Sequence, residues 1–177
     1  MARDQVMRLA ATTPSPSARK DTRIYLLGET LAALTFAPAF AHLAEMPNKM
    51  GLDGPAWYAT QWIYRGWGAF LGPLEAVTLI VTAWLLWRSR DLRPALTLTG
   101  IALGCYIAMQ ACFWALNFPV NTAVAHWKAS ALPLDWTNYR ARWEWGHAIR
   151  AGLAFAALLC LLRATLILAE RRAPSSQ

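Results

Sequence analysis

Charge is what this sequence has least of. Only 15% of its 177 residues are Asp, Glu, Lys or Arg, while 56% are hydrophobic; an ordinary soluble domain carries about 25% charged residues. The deficit is concentrated in stretches of about 20 residues with almost no charge, the length needed to cross a hydrocarbon core of about 30 Å. Cysteine is scarce too. Cys105, Cys112 and Cys160 all fall in apolar runs, and an odd count at such positions reads as small apolar residues and argues against a disulfide framework. No Cys-x-x-Cys pair and no Walker or Rossmann glycine pattern occurs, so nothing points to a thiolate metal site or a nucleotide cradle. A cleavable leader is also not expected, because residues 1–23 are polar and mixed in charge.

What is present is a pattern of four apolar runs. The spacing predicts an all-α fold, a four-helix transmembrane bundle of up-down topology over residues 24–170. Its spans run over about 24–44, 66–87, 94–118 and 144–169, between a disordered basic tail (1–23) and a short C-terminal tail (171–177). The fourth helix is expected to start earlier, near Trp136, with Asp135 as its cap. Net charge is +7, and the excess lies in juxtamembrane segments. Arg88, Arg90 and Arg93 crowd one short turn, with Arg3, Arg8, Arg19, Lys20, Arg23, Arg171 and Arg172 in the tails. That distribution argues for membrane topology, not nucleic-acid binding, and puts both termini in the cytoplasm of a multi-pass protein of the cell membrane. The tryptophans of the two long loops read as an interfacial belt or as the walls of an aromatic pocket.

Ionisable groups inside a span cost about 2.5 kcal/mol or more each, so each needs a partner or a function. Up-down connectivity brings most of them to one end: His42 and Glu45 from the first helix, Glu75 from the second, Gln110 and Asn117 from the third, Glu144, His147 and Arg150 from the fourth. His42-x-x-Glu45 and Glu144-x-x-His147 each put a carboxylate and an imidazole on one helical face. Facing Glu-x-x-His helices hold two-metal centres in soluble bundles. His42, Glu45, Glu75, Glu144 and His147 are therefore candidate ligands for Fe, Mn, Cu or Zn. Set against that, His42–Glu45 reads equally as a solvated surface pair, and Glu144 as a local ion pair with Arg140 or Arg150. His126 reads as a surface residue. At the opposite end, Glu29 and Arg163 match in depth and are expected to form a buried structural ion pair, a proton relay being the alternative.

Asn117-Phe-Pro-Val-Asn121, followed by Arg142-Trp-Glu-x-x-His147-x-x-Arg150, resembles the anthrone oxygenase-like family of small four-helix membrane proteins. The segments His42-Leu-Ala-Glu-Met-Pro-Asn-Lys49 and Tyr64-Arg-Gly-Trp-Gly68 resemble its bacterial members, and the likeness runs from about Ile24 to Leu168. It implies a four-helix bundle and, for the polyketide-pathway members, oxygenation of an anthrone to an anthraquinone. Asn117, Asn121, Trp143, His147 and Arg150 match the family pattern.

These readings converge on a membrane-embedded oxidoreductase, a monooxygenase of a hydrophobic aromatic or quinol-like substrate reached from the bilayer. With a metal, the five ligands bind it, and Asn117, Asn121, Trp143 and Arg150 surround it or touch substrate. Without one, His147 and Glu75 handle protons, and Arg150 or the asparagine amides steady the enolate oxygen. Two alternatives stay open. One is a haem- or quinone-binding subunit with His42 and His147 as axial ligands, and the other a non-catalytic transport or assembly protein. Small residues at Gly100, Gly104 and Ala108 permit an oligomer without demanding one.

Overall fold

The computed structural model describes residues 16–172, with side chains from Arg23 to Glu170. Its elements are α1 (Pro16–Met50), α2 (Gly54–Thr60), a 3-10 turn (Gln61–Tyr64), α3 (Trp67–Arg88), α4 (Arg93–Cys112), a π turn (Phe113–Asn117), α5 (Phe118–Val124) and α6 (Trp136–Arg172). Among the described residues there is no strand. The four-helix bundle expected from the apolar runs is what forms: four segments are long and apolar enough to cross a membrane, Arg23–Met50, Trp67–Arg88, Arg93–Val124 and Trp136–Glu170. The shortest has 22 residues, sufficient at about 1.5 Å per residue to cross a core of about 30 Å. The disordered tail expected over 1–23 lies mostly outside the described residues, and α1 already begins at Pro16.

Neighbouring helices run in opposite directions. Thr35 of α1 hydrogen-bonds Thr78 of α3 at 2.9 Å, and near the other end Tyr25 meets Ser89 at 3.3 Å. Gln110 of α4 reaches Glu75 of α3, and Asn117 reaches the Trp143 carbonyl of α6. The core face of α6 is made of small residues: Ala151, Ala154, Ala157 and Ala164 are buried, with Leu161 among them. Spacings of three and four put them in one stripe, and small side chains let neighbouring backbones approach closely. Ala154, Ala157 and Leu161 pack with Ala32, Ala102, Tyr106 and Met109 in one apolar cluster. Leu26, Phe40, Phe70, Ile80, Ile107, Phe155 and Leu166 instead point outward. In water this would be a liability, but facing acyl chains it is the expected arrangement. All three cysteines are free thiols.

Two of the four spans run on past the bounds the apolar runs suggested, α1 beyond residue 44 and the third beyond residue 118 through α5 to Val124, and the extensions build the site. α1 contains Pro38 and continues beyond residue 44, through Pro47, to Met50. α6 starts at Trp136 as expected, but Asp135 contributes only its carbonyl, which accepts from the Asn138 amide at 2.9 Å. The side-chain cap in this region belongs to Asp53, which accepts from the Ala56 amide and starts α2. The buried ion pair expected between Glu29 and Arg163 is not formed. Arg163 is exposed and Glu29 half-buried, so a charge near the helix end turns outward instead of entering the core.

Candidate functional site

The third span breaks its α geometry where it nears the site. Phe113–Asn117 form a π turn, and Pro119 follows within α5. A proline has no N–H, so the Ala115 carbonyl four residues earlier lacks its α-helical donor. Arg142 supplies one, donating from Nη2 to that oxygen at 2.5 Å. The turn delivers Asn117 into the interior, fully buried. Its Nδ2 donates to the Trp143 carbonyl at 2.9 Å. A Cβ on Gly146 would stand 2.7 Å from Asn117 Oδ1, so glycine is what lets α6 approach this closely. Asn121 takes the other end of the same residue, accepting from Trp143 Nε1 at 2.8 Å. Both asparagines thus position Trp143.

Trp143 is one of several rings packed around a pair of imidazoles. The His42 and His147 rings stack with centroids 4.1 Å apart and planes inclined by 29°. Trp143 lies 5.1 Å from His42 and 4.2 Å from His147. Tyr64 lies 4.5 Å and Trp67 6.1 Å from His42. Both imidazoles are buried, and His42 Nδ1 is enclosed without a hydrogen-bond partner.

On one side of this pair lies a Lys49 centred ion cluster. Lys49 is 5% exposed. Its Nζ stands 3.2 Å from Glu45 and 3.4 Å from Glu144, donates to the Tyr64 hydroxyl at 3.3 Å, and sits over the Tyr64 and Trp143 rings. Glu144 is sealed in, and its other oxygen accepts from Trp57 Nε1 at 3.1 Å. Tyr64 donates to Glu45 at 2.5 Å. Burial, and after it that hydrogen bond, push the Tyr64 hydroxyl well above its usual range, so it stays a proton donor at neutral pH. On the other side, Arg150 pairs with Glu75 at 2.5 Å, and Gln110 donates to the second Glu75 oxygen at 2.7 Å. The Arg150 guanidinium lies over Phe113, and its Nε has no partner.

The fold therefore brings together all nine residues singled out in the sequence: His42, Glu45, Glu75, Asn117, Asn121, Trp143, Glu144, His147 and Arg150. Their pairing differs from the expectation. Glu144 pairs with Lys49, not with Arg140 or Arg150; Arg140 turns to the Leu52 carbonyl and the Trp136 ring. The five expected metal ligands do not form one coordination shell. Among the described residues no group of three or more His, Cys, Asp or Glu side chains is arranged to hold a metal ion. The three carboxylates each contact a cationic side chain, and a metal ion would have to displace Lys49 or Arg150. Nor do the imidazoles suit a shared haem iron: their rings stack directly on each other, with no space for a macrocycle. His126 bonds only to the Thr122 carbonyl at the surface.

Lys49, Trp57, Tyr64 and Gly146 were not foreseen. Lys49 had a signal: His42, Glu45 and Lys49 follow the i, i+3, i+7 spacing of one helical face, which is lost if the helix is ended at residue 44. The tryptophans also divide. Trp57 and Trp143 are buried in the site, whereas Trp62, Trp114 and Trp145 are exposed as a belt requires.

Fold and site together define a multi-pass membrane bundle with an enclosed, aromatic-walled ionic centre at one end. The chain belongs to the anthrone oxygenase family, whose model matches residues 59–160. The matched region holds α3 to most of α6, including Glu75, Asn117, Trp143, Glu144, His147 and Arg150. His42, Glu45 and Lys49, on α1, lie outside it. No curated protein and no solved structure matches the chain.

Proposed function

We propose that this protein is a membrane-embedded oxygenase that converts a hydrophobic anthrone-like or quinol-like aromatic to the corresponding quinone, with O2 as oxidant. The observation that carries this is the stacked His42–His147 pair, walled by aromatic rings and flanked by two fixed cations. His147 acts as general base on the acidic C–H of the substrate, leaving an enolate. The Arg150 guanidinium, whose Nε is unpartnered, faces the charge that develops on the enolate oxygen. The enolate carbon then reduces O2 and bonds to it, and the imidazolium returns its proton to the peroxide. Loss of the second C–H proton with departure of hydroxide makes the new carbonyl, so one anthrone and one O2 give one anthraquinone and one water.

Each of the three carboxylates is paired with a cationic side chain, which favours the metal-free form of this reaction. A metal form with Fe, Mn, Cu or Zn on the imidazoles predicts loss of turnover on chelation. The test is oxygen uptake with anthrone by purified protein in lipid nanodiscs before and after exhaustive chelator treatment. Uptake with stoichiometric anthraquinone, unchanged by chelation, is expected. Uptake no faster than in empty nanodiscs would refute the oxygenase reading.

The orientation belongs to the same proposal. Arg88, Arg90 and Arg93 lie at the bundle end opposite the site, which supports cytoplasmic termini and a site at the outer leaflet. A C-terminal reporter that is active only in the cytoplasm should then be active; a silent but expressed reporter would reverse the orientation.

A further inference from the structure

Two charges within the membrane-spanning segments take no part in the site. Glu29 lies in the span Arg23–Met50 and Arg163 in the span Trp136–Glu170. Among the described residues neither side chain has a hydrogen-bond or ion-pair partner. Two contacts fix their depth. Tyr25 meets Ser89, which follows the end of α3, and Glu29 lies four residues further in, about 6 Å at 1.5 Å per residue. α1 and α6 run in opposite directions, with the Phe36 and Phe155 rings 5.3 Å apart. Seven residues from that contact, towards the start of α1 and the end of α6, stand Glu29 and Leu162. Arg163 is therefore at nearly the same level as Glu29.

Direction is what keeps them apart. Ala154, Ala157, Leu161 and Ala164 set the inward side of α6, and Arg163, two positions from Leu161, is exposed on the far side. Glu29 is half-buried and shares the side of α1 on which Phe36 lies, the edge that borders α6. The outer surface of these two helices thus carries one acid and one base at one depth. Lipid satisfies them unequally. A long arginine side chain can reach phosphate groups, but a glutamate is shorter and phosphate repels it, so Glu29 needs a cation from protein. A two-fold axis along the membrane normal preserves depth and sets α1 of one copy against α6 of the other. We propose that this face is a homodimer interface in which Glu29 of each copy pairs with Arg163 of the other. Leu26, three residues from Glu29, and Leu159 and Leu166, four and three from Arg163, are exposed beside the charges and supply the apolar contact. The dimer is independent of the oxygenase reading, since neither residue touches the histidine pair.

Exchanging charge between copies tests it. Donor and acceptor fluorescent proteins are fused to the C-terminus of separate copies, which are reconstituted together into phosphatidylcholine vesicles. Energy transfer is followed as added lipid dilutes the protein, with thermal unfolding recorded for each variant. The wild type should associate reversibly. Glu29→Lys alone and Arg163→Glu alone should each weaken association by about tenfold or more, because either change turns both pairs repulsive at once. Mixed together, these two variants should associate as the wild type does, because each mixed dimer again holds two opposite-charge contacts. An ion pair within one chain could not be restored by mixing. A wild type that is monomeric at every dilution, the result if lipid alone covers the face, would overturn the dimer. So would single variants that associate like the wild type, or a mixture no better than either variant alone. If Glu29→Lys does not fold, Glu29→Gln, which keeps the size of the side chain, takes its place. Mixed with Arg163→Glu it retains one attractive pair and should associate more strongly than Arg163→Glu alone; equal association would overturn the proposal.

Discussion

Lys49→Met is expected to be among the most destabilising single substitutions in this protein, costing about 3–5 kcal/mol, the range for removing one partner of a buried ion pair. The Glu144 side chain is fully enclosed, with Lys49 as its only cationic partner among the described residues and one indole N–H as its hydrogen bond. Taking the ammonium away leaves a carboxylate that must either stay charged in an apolar surround or take up a proton. The double substitution Lys49→Met with Glu144→Gln should recover most of the loss, because the interaction removed and the penalty created belong to the same pair. Glu45→Gln should cost at most about 1 kcal/mol, since that side chain is 49% exposed and its pairing is screened. Denaturant unfolding in a mild detergent measures all three. A single variant as stable as wild type, or a double variant no better than the single, would refute the assignment of Lys49 as the counter-charge of Glu144.

His147→Ala is expected to lower kcat for anthrone oxidation by about 10²–10⁴-fold, the usual contribution of a positioned general base. KM should change far less, because the ring walls and the Arg150–Glu75 pair remain. His147 is preferred to His42 because it sits one turn from both Glu144 and Arg150 on α6 and packs closest to Trp143, at 4.2 Å. The enclosed Nδ1 of His42 makes that ring a stacking partner first. Anaerobic mixing separates the step from the oxygen chemistry: wild-type protein should accumulate the coloured enolate of anthrone, and His147→Ala should not. Enolate formation in the variant at the wild-type rate would remove His147 from the role of base. An intact unfolding transition is the control that loss of the stack has not disrupted the bundle.

How much of this could be read from the chain differs by feature. The four spans were legible because a bilayer imposes one crude requirement, an uninterrupted apolar length, and this chain meets it four times. The convergence of His42, Glu75, Glu144, His147 and Arg150 was legible for a related reason, as alternating direction fixes which helix ends are neighbours. The partners within that cluster were not. Glu144 stands four residues from Arg140 and six from Arg150, yet it bonds to Lys49 and Trp57, 95 and 87 positions away. Local spacing favours local pairs, and a buried carboxylate is settled by whichever cation the packing delivers. The expected Glu29–Arg163 pair fails in the same way. Matching depth is necessary for contact, but the rotation of each helix about its axis decides it, and Arg163 is rotated outward.

The sequence by itself determined the class of protein, the number of spans and the end of the bundle where chemistry gathers, because these follow from composition and connectivity alone. Only the tertiary structure decided that α1 runs on through Pro47 to bring in Lys49, that an ammonium and a guanidinium stand beside the carboxylates expected to bind metal, and that Gly146 faces Asn117. The physical reason is common to all three. Each depends on helix rotation and on atoms more than two turns apart in sequence, where no periodicity carries information and only packing can choose.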